Sequence, residues 1–131
     1  MVLSMKILVT GSRHWTDRKT IERELKKYSF TNPLLPPFKQ PPILFHGACE
    51  GADTIAGEIG KSLGWKVDPH PAHWDILGLA AGPSRNQHMV DHDPDICLAF
   101  HSDLGKSAGT ADCVRRARSV GIPVTVVKSR R

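Results

Sequence analysis

The chain has 131 residues, enough for one domain with one core, and nothing in it repeats internally. Lys plus Arg number 18 against 13 Asp plus Glu, a net charge of +5 that fits a phosphate-bearing ligand or a nucleic acid and selects neither. No stretch is apolar for long enough to cross a bilayer, no signal-peptide pattern opens the chain, and the 3 cysteines have no CxxC spacing, so a cytoplasmic protein without a membrane partner is expected.

Residues 1–4 precede the first strand and are expected to be flexible, as are 128–131. Lys6–Thr10 reads as a strand. Asp17 is a good N-cap for a helix to about Tyr28, with Ile21, Leu25 and Tyr28 on one face. From Thr31 to Pro42 there are 5 prolines, which exclude helix and central strand and predict a stiff surface loop over 31–42.

Ile43–Phe45 is the second strand. A helix follows over Ala52–Leu63, with an Ile55, Ile59, Leu63 stripe and Gly64 closing it. Trp65–Asp68 is a short strand, and 69–82 is irregular or briefly helical. Pro83 suits a first helical turn and opens a helix to about Asp91. Ile96–Phe100 is nearly all apolar, as a strand covered on both faces would be. Thr110–Val120 is the last helix, stopped by Gly121, and Pro123–Val127 the last strand. Strands alternating with helices predict one α/β domain over 1–131, a three-layer Rossmann-like sandwich with a parallel sheet of about five strands. The expected order is 3-2-1-4-5, with the ligand crevice between strands one and four.

Three strand-like runs end in glycine-bearing turns that open helices, and such turns suit a phosphate. The first turn is Gly11, Ser12, Arg13, where Arg13 is an anion contact. The second is His46-Gly47-Ala48-Cys49-Glu50-Gly51-Ala52-Asp53, neither GxGxxG nor a P-loop. Gly47 and Gly51 let it fold under a phosphate, the N–H groups around Ala52 and Asp53 point at the anion, and Asp53 hydrogen-bonds the loop. The third runs from Lys106 to Gly109 and Thr110; Gly109 gives close approach, Thr110 caps the helix and touches a phosphate, and Lys106 closes over it.

Gly82-Pro83-Ser84-Arg85-Asn86-Gln87-His88-Met89 places Arg85 in a first helical turn, where a cation opposes the dipole unless an anion neutralises it. Trp15 and Trp74 are candidates to stack on a base, against packing roles for each. His88 with His92 and His70 with His73, beside Asp91 and Asp93, invite a metal, but no HExxH or cysteine cluster appears and no metal is expected. There is no Ser-His-Asp elbow, and Cys113 reads as a small core residue. Arg115, Arg116, Arg118, Lys128, Arg130 and Arg131 crowd the C-terminal end, either as a solvated face and tail or as a nucleic-acid surface.

These motifs together resemble the SLOG superfamily, and more closely its small single-domain YspA/YpsA-like branch of bacteria and phages. The likeness runs from Met5 to Val127, on Met5–Arg13, His46–Asp53, Gly82–Met89 and Gly109-Thr110. It implies a Rossmann-like fold that binds nucleotides or nucleotide-derived ligands. Relatives in the superfamily include the "lonely guy" phosphoribohydrolases, DNA-processing proteins that bind single strands, and sensors of NAD-derived signals. Arg85 and Met89 match the hydrolases' arginine–methionine spacing, and Gly109-Thr110 match their glycine-threonine turn. Cys113 stands where those enzymes carry a catalytic glutamate, and Lys106-Ser107-Ala108 replaces their proline-glycine-glycine.

The expectation is therefore a binder or sensor of a mononucleotide, ADP-ribose or NAD-like ligand. Its ligand contacts would be Gly11, Ser12, Arg13, Gly47, Ala48, Gly51, Ala52, Asp53, Trp74, Arg85, Asn86, Lys106, Gly109 and Thr110. No cofactor beyond that nucleotide is expected. The alternatives are an N-glycosidic hydrolase of nucleoside monophosphates, with Arg85, Asp112 and Glu50 as catalytic residues and Asp53 as a further acid/base, and a single-stranded nucleic-acid binder. The helix faces are compatible with a homodimer without requiring one.

Overall fold

A computed structural model describes residues 4–29, 38 and 40–130. Its strands are β1 (Lys6–Gly11), β2 (Ile43–His46), β3 (Lys66–Pro69), β4 (Ile96–Phe100) and β5 (Val124–Val127). All neighbours pair in parallel in the order β3-β2-β1-β4-β5, the predicted order. The helices are α1 (Arg18–Lys26), α2 (Ala52–Ser62), the single turn α3 (Trp74–Leu77), α4 (Ala81–Val90) and α5 (Ala108–Ser119). Most of the proline-rich 31–42 loop, residues 1–3 and Arg131 lie outside the described residues.

The alternation of side chains along each strand creates the three layers. Ile7 and Val9 of β1, Leu44 of β2, and Leu98 and Phe100 of β4 pack with Ile21 and Leu25 of α1 and Ala52, Ala56 and Ile59 of α2. Leu8, Phe45 and Cys97 point to the other face, against Met89 and Val90 of α4 and Cys113 and Ala117 of α5. On α2 the residues turned to the sheet are mostly small, so the helix lies close to it; Ile55 and Leu63 of the expected stripe flank that face.

Asp17 caps α1 as expected, accepting from the Thr20 N–H at 3.2 Å and the Thr20 hydroxyl at 2.6 Å. It also accepts from the Ser129 hydroxyl at 3.1 Å and the Arg130 N–H at 2.9 Å, which ties the segment after β5 to the start of α1. Two helix starts differ from expectation. α4 begins at Ala81, because the turn at 78–80 already runs in helical geometry into it. α5 begins at Ala108, because Ser107 rather than Thr110 caps it: the Ser107 hydroxyl accepts from the Thr110 N–H at 3.3 Å.

β1 and β4 are neighbours whose following segments leave toward opposite faces, so their carboxyl ends flank the crevice of an open parallel sheet. The turns after β1, β2 and β4 meet there.

Candidate functional site

A cleft of about 630 Å³ opens at this end of the sheet. Its walls include Gly11, Ser12 and Arg13 from the first turn, Gly47, Cys49 and Asp53 from the second, and Lys106 to Thr110 from the third. Arg85 and Asn86 of α4 enter from the side, and Trp74 and Leu79 form an apolar rim. Ala48, Glu50, Gly51 and Ala52 do not line it.

The β2–α2 turn is organised inward. Asp53, buried in the first turn of α2, accepts through Oδ2 from the Gly47 N–H at 3.0 Å and the Cys49 N–H at 3.3 Å. The Ala48 N–H donates to Nδ1 of buried His46 at 2.9 Å, and the Ala52 N–H to the Ser12 carbonyl at 3.0 Å. Of the N–H groups expected to face an anion, Ala52's is taken by the β1–α1 turn. Gly51 has φ +76°, and a Cβ there would strike the backbone of Ser12 and Arg13. Its glycine is required by backbone packing on backbone.

Burial sets the charges of this turn. It pushes the Asp53 carboxyl up to about 6, against the opposing pull of the Cys49 and Gly47 N–H groups and the Arg85 charge. Asp53 Oδ1 is buried and has no hydrogen-bond partner among the described residues. Burial pushes His46 down to about 4, aided by nearby His70 and Lys61, so its imidazole is neutral at pH 7.

Arg85 sits a full turn into α4, so dipole opposition does not explain it. Its guanidinium instead leaves the helix and donates through Nη1 to the Gly47 carbonyl at 2.5 Å and through Nε to Asn86 Oδ1 at 2.8 Å. A Cβ on Gly47 would lie 2.5 Å from Nη1, so glycine is needed there to seat the arginine. Nη2 makes no hydrogen bond among the described residues. Asn86 is buried and carries the link onward, donating to the Gly109 carbonyl at 3.2 Å and to Asp112 Oδ2 at 3.0 Å.

The β4–α5 turn is organised outward. The N–H groups of Ala108 and Gly109 open the helix and meet no acceptor among the described residues. A Cβ on Gly109 would meet nothing within 4 Å. Thr110 is buried beneath, its hydroxyl 2.9 Å from that of Ser107. Lys106 is exposed at the lip, 3.9 Å from Asp103, and Arg13 is exposed opposite.

The carboxylates proposed for catalysis are placed unequally. Glu50 lies off the cleft. Asp112 lines it, but Arg115 Nη2 reaches Oδ1 at 2.5 Å and Arg116 Nε reaches Oδ2 at 2.9 Å. Burial pushes Asp112 up, but the Arg116 and Asn86 hydrogen bonds and the two arginine charges outweigh it and hold the group below its ordinary value. A carboxylate held ionised is a poor proton donor. Cys113 is fully buried on the sheet-facing side of α5, in one cluster with Cys97.

Trp74 is half exposed on the rim, its ring over Gly82. Trp15 is buried instead, edge-on to Phe100 at 5.6 Å with its indole N–H on the Asp17 carbonyl, so it is a core residue and not a stacking surface. His14, His101, Ser107 and Ala108 line the cleft and were not foreseen. Ser107 was visible as a hydroxyl ahead of a helix; the others carry no local signal. Of the paired histidines, His70, His88 and His92 come together, and Asp68 joins them where Asp91 and Asp93 were expected.

Fold and cleft define a parallel Rossmann-like α/β domain whose crevice collects three strand-to-helix turns. A family model described as the YspA, cpYpsA-related SLOG family matches residues 5–76, and the chain belongs to that family. It is also similar to the Gene 61 protein of Mycobacterium phage D29, 39% identical over 124 residues that cover 91% of this chain and 93% of that protein. Among the described residues, no helix is long and apolar enough to cross a membrane.

Proposed function

We propose that the chain binds a nucleotide or a nucleotide-derived ligand, of mononucleotide, ADP-ribose or NAD-like type, as a binder or sensor without turnover. One observation carries this: the Ala108 and Gly109 N–H groups and Nη2 of Arg85, all without a partner among the described residues, are joined through Asn86 at one cleft. Helix N-terminal N–H groups and a planar guanidinium are complementary to a phosphate. Gly109 leaves room for its oxygens to approach the backbone, and Arg13 and Lys106 add charge from the lip. Asp53 orders the turn beneath the ligand, and Trp74 walls the base. Native mass spectrometry of the purified protein, followed by calorimetric titration with AMP, ADP-ribose and NAD, tests this. A co-purifying or saturably bound nucleotide is expected; an empty protein that ignores the whole panel contradicts it.

A second function, hydrolysis of a nucleotide's N-glycosidic bond, is favoured by Asp53 alone. A carboxyl raised to about 6 at the cleft wall can hand its proton to the leaving base while water adds to the ribose carbon and returns a proton to the carboxylate. Release of free base from a nucleoside monophosphate, lost in Asp53→Asn, would establish turnover. A single-stranded nucleic-acid role draws less support, because Arg115 and Arg116 are both paired with Asp112.

A further inference from the structure

Beyond the carboxyl ends of β2 and β3, four side chains from two stretches of the sequence, 68–70 and 88–92, converge. Asp68 belongs to β3, His70 follows it, His88 lies on α4, and His92 follows α4. One donor atom from each of Asp68, His70 and His92 falls within 4.8 Å of the other two. His70 Nε2 is 3.3 Å from Asp68 Oδ2 without hydrogen-bond alignment, and it is buried with no hydrogen-bond partner among the described residues. Only 10% of the His70 side chain is exposed, so this nitrogen faces the Asp68 carboxylate in the interior of the cluster without an aligned hydrogen bond. A buried polar atom without an aligned partner is destabilising, and packing of imidazoles on Phe45 does not require it.

The remaining atoms are set as ligands usually are. His92 Nδ1 lies 2.8 Å from the His88 carbonyl. A carbonyl only accepts, so Nδ1 carries the proton and Nε2 keeps its lone pair. That back-bond is the one that metal-bound histidines make to fix tautomer and ring orientation. The backbone is pinned on both sides: the His70 N–H donates to the His46 carbonyl at 2.7 Å, and Lys6 Nζ to the His92 carbonyl at 3.0 Å. The His88 ring stands 4.9 Å from that of His92 and 5.2 Å from that of His70. A smaller cleft of about 250 Å³, lined by His70, His88 and Pro69, gives solvent entry.

We propose that Asp68, His70 and His92 hold a divalent transition-metal ion of the zinc class, with water or His88 in the fourth position. Two imidazoles and one carboxylate, with no thiolate, match the nitrogen and oxygen donors such ions take in tetrahedral geometry. The ion clasps the edge strand β3 to the end of α4, because its ligands come from both. Asp68, His70 and His92 do not line the larger cleft, and Arg85 borders both clefts.

Untagged full-length protein, stripped with chelator and titrated with Co²⁺ and Zn²⁺, tests the proposal. One Co²⁺ per chain is expected, with the visible absorption of a four-coordinate ion, together with a chelator-reversible rise in melting temperature with Zn²⁺. His92→Gln and the isosteric Asp68→Asn should each weaken binding at least ~10-fold, whereas His73→Gln should not change it. Asp68→Asn preserves shape, so its binding can be read even if His92→Gln fails to fold. Absence of stoichiometric binding would overturn the proposal, as would binding that persists in Asp68→Asn or that shows sulfur-to-cobalt charge transfer lost in Cys49→Ala.

Discussion

The turns after β2 and β4 look alike in sequence, a strand running into glycine and then a helix, yet they are built in opposite senses. After β2, the N–H groups of Gly47, Ala48, Cys49 and Ala52 all have protein acceptors, and Gly47 and Gly51 are small because Arg85 and the β1–α1 backbone press on them. After β4, the N–H groups of Ala108 and Gly109 have none among the described residues, and Gly109 faces open space. One turn is a scaffold that holds an arginine; the other is open to an anion. A glycine before a helix therefore has two physical meanings, told apart only by what a Cβ would meet.

The contrast can be broken most severely at Gly51. Gly51→Ala forces a side chain onto φ +76° and into the Ser12 backbone, and should cost about 2–4 kcal/mol, or roughly 10 °C in Tm. Arg85→Ala removes the fork that the β2–α2 turn holds. It should weaken nucleotide binding about 10- to 100-fold by calorimetry, the worth of a charge-assisted hydrogen bond to phosphate. Gly109→Ala is the counterpart of Gly51→Ala: Tm should hold or rise by a few degrees, since alanine is the better helix former by about 1 kcal/mol. Affinity should nonetheless fall severalfold as the methyl intrudes on the anion.

The smallest expected effect is a pH dependence within the β2–α2 turn. Asp53 has a folded pKa of about 6, above the usual 3.8, so the native state binds more protons between those values and Asp53's contribution falls as pH rises through the window. His46 has a folded pKa of about 4, below 6.5, so the stability it contributes is present above pH 6.5 and lost as pH falls toward 4. Melting curves should show Asp53→Asn gaining on the wild type as pH rises from 4 to 7. His46→Gln should gain on it as pH falls over the same range.

The parallel α/β class and the helix placement were legible because they follow from local pattern: apolar strands, Asp17 as a cap, and the regular alternation of strand with helix. The strand order was not, and was expected only as a common doubly wound arrangement. Arg85 was legible as a cation out of place, but for a different reason from the true one. Its helix begins earlier, and its partner is the Gly47 carbonyl, 38 positions away. Burial of Asp53 and His46 was not legible, since it arises from the sheet and helices closing over a polar turn. The histidine cluster was half visible. Spacing pairs His88 with His92, but only the parallel pairing of β2 with β3 brings Asp68 and His70 beside them. Contacts made across the fold leave no mark in local spacing, whereas caps and periodicity do.

The most direct measurement is the backbone amide spectrum during titration with ADP-ribose. Saturable shifts of the Ala108 and Gly109 amides, with the Arg85 side-chain resonance moving in step and the hydrogen-bonded Gly47 and Cys49 amides moving less, are the predicted result. Titration to millimolar ADP-ribose, AMP and NAD that leaves Ala108 and Gly109 unmoved would contradict the account.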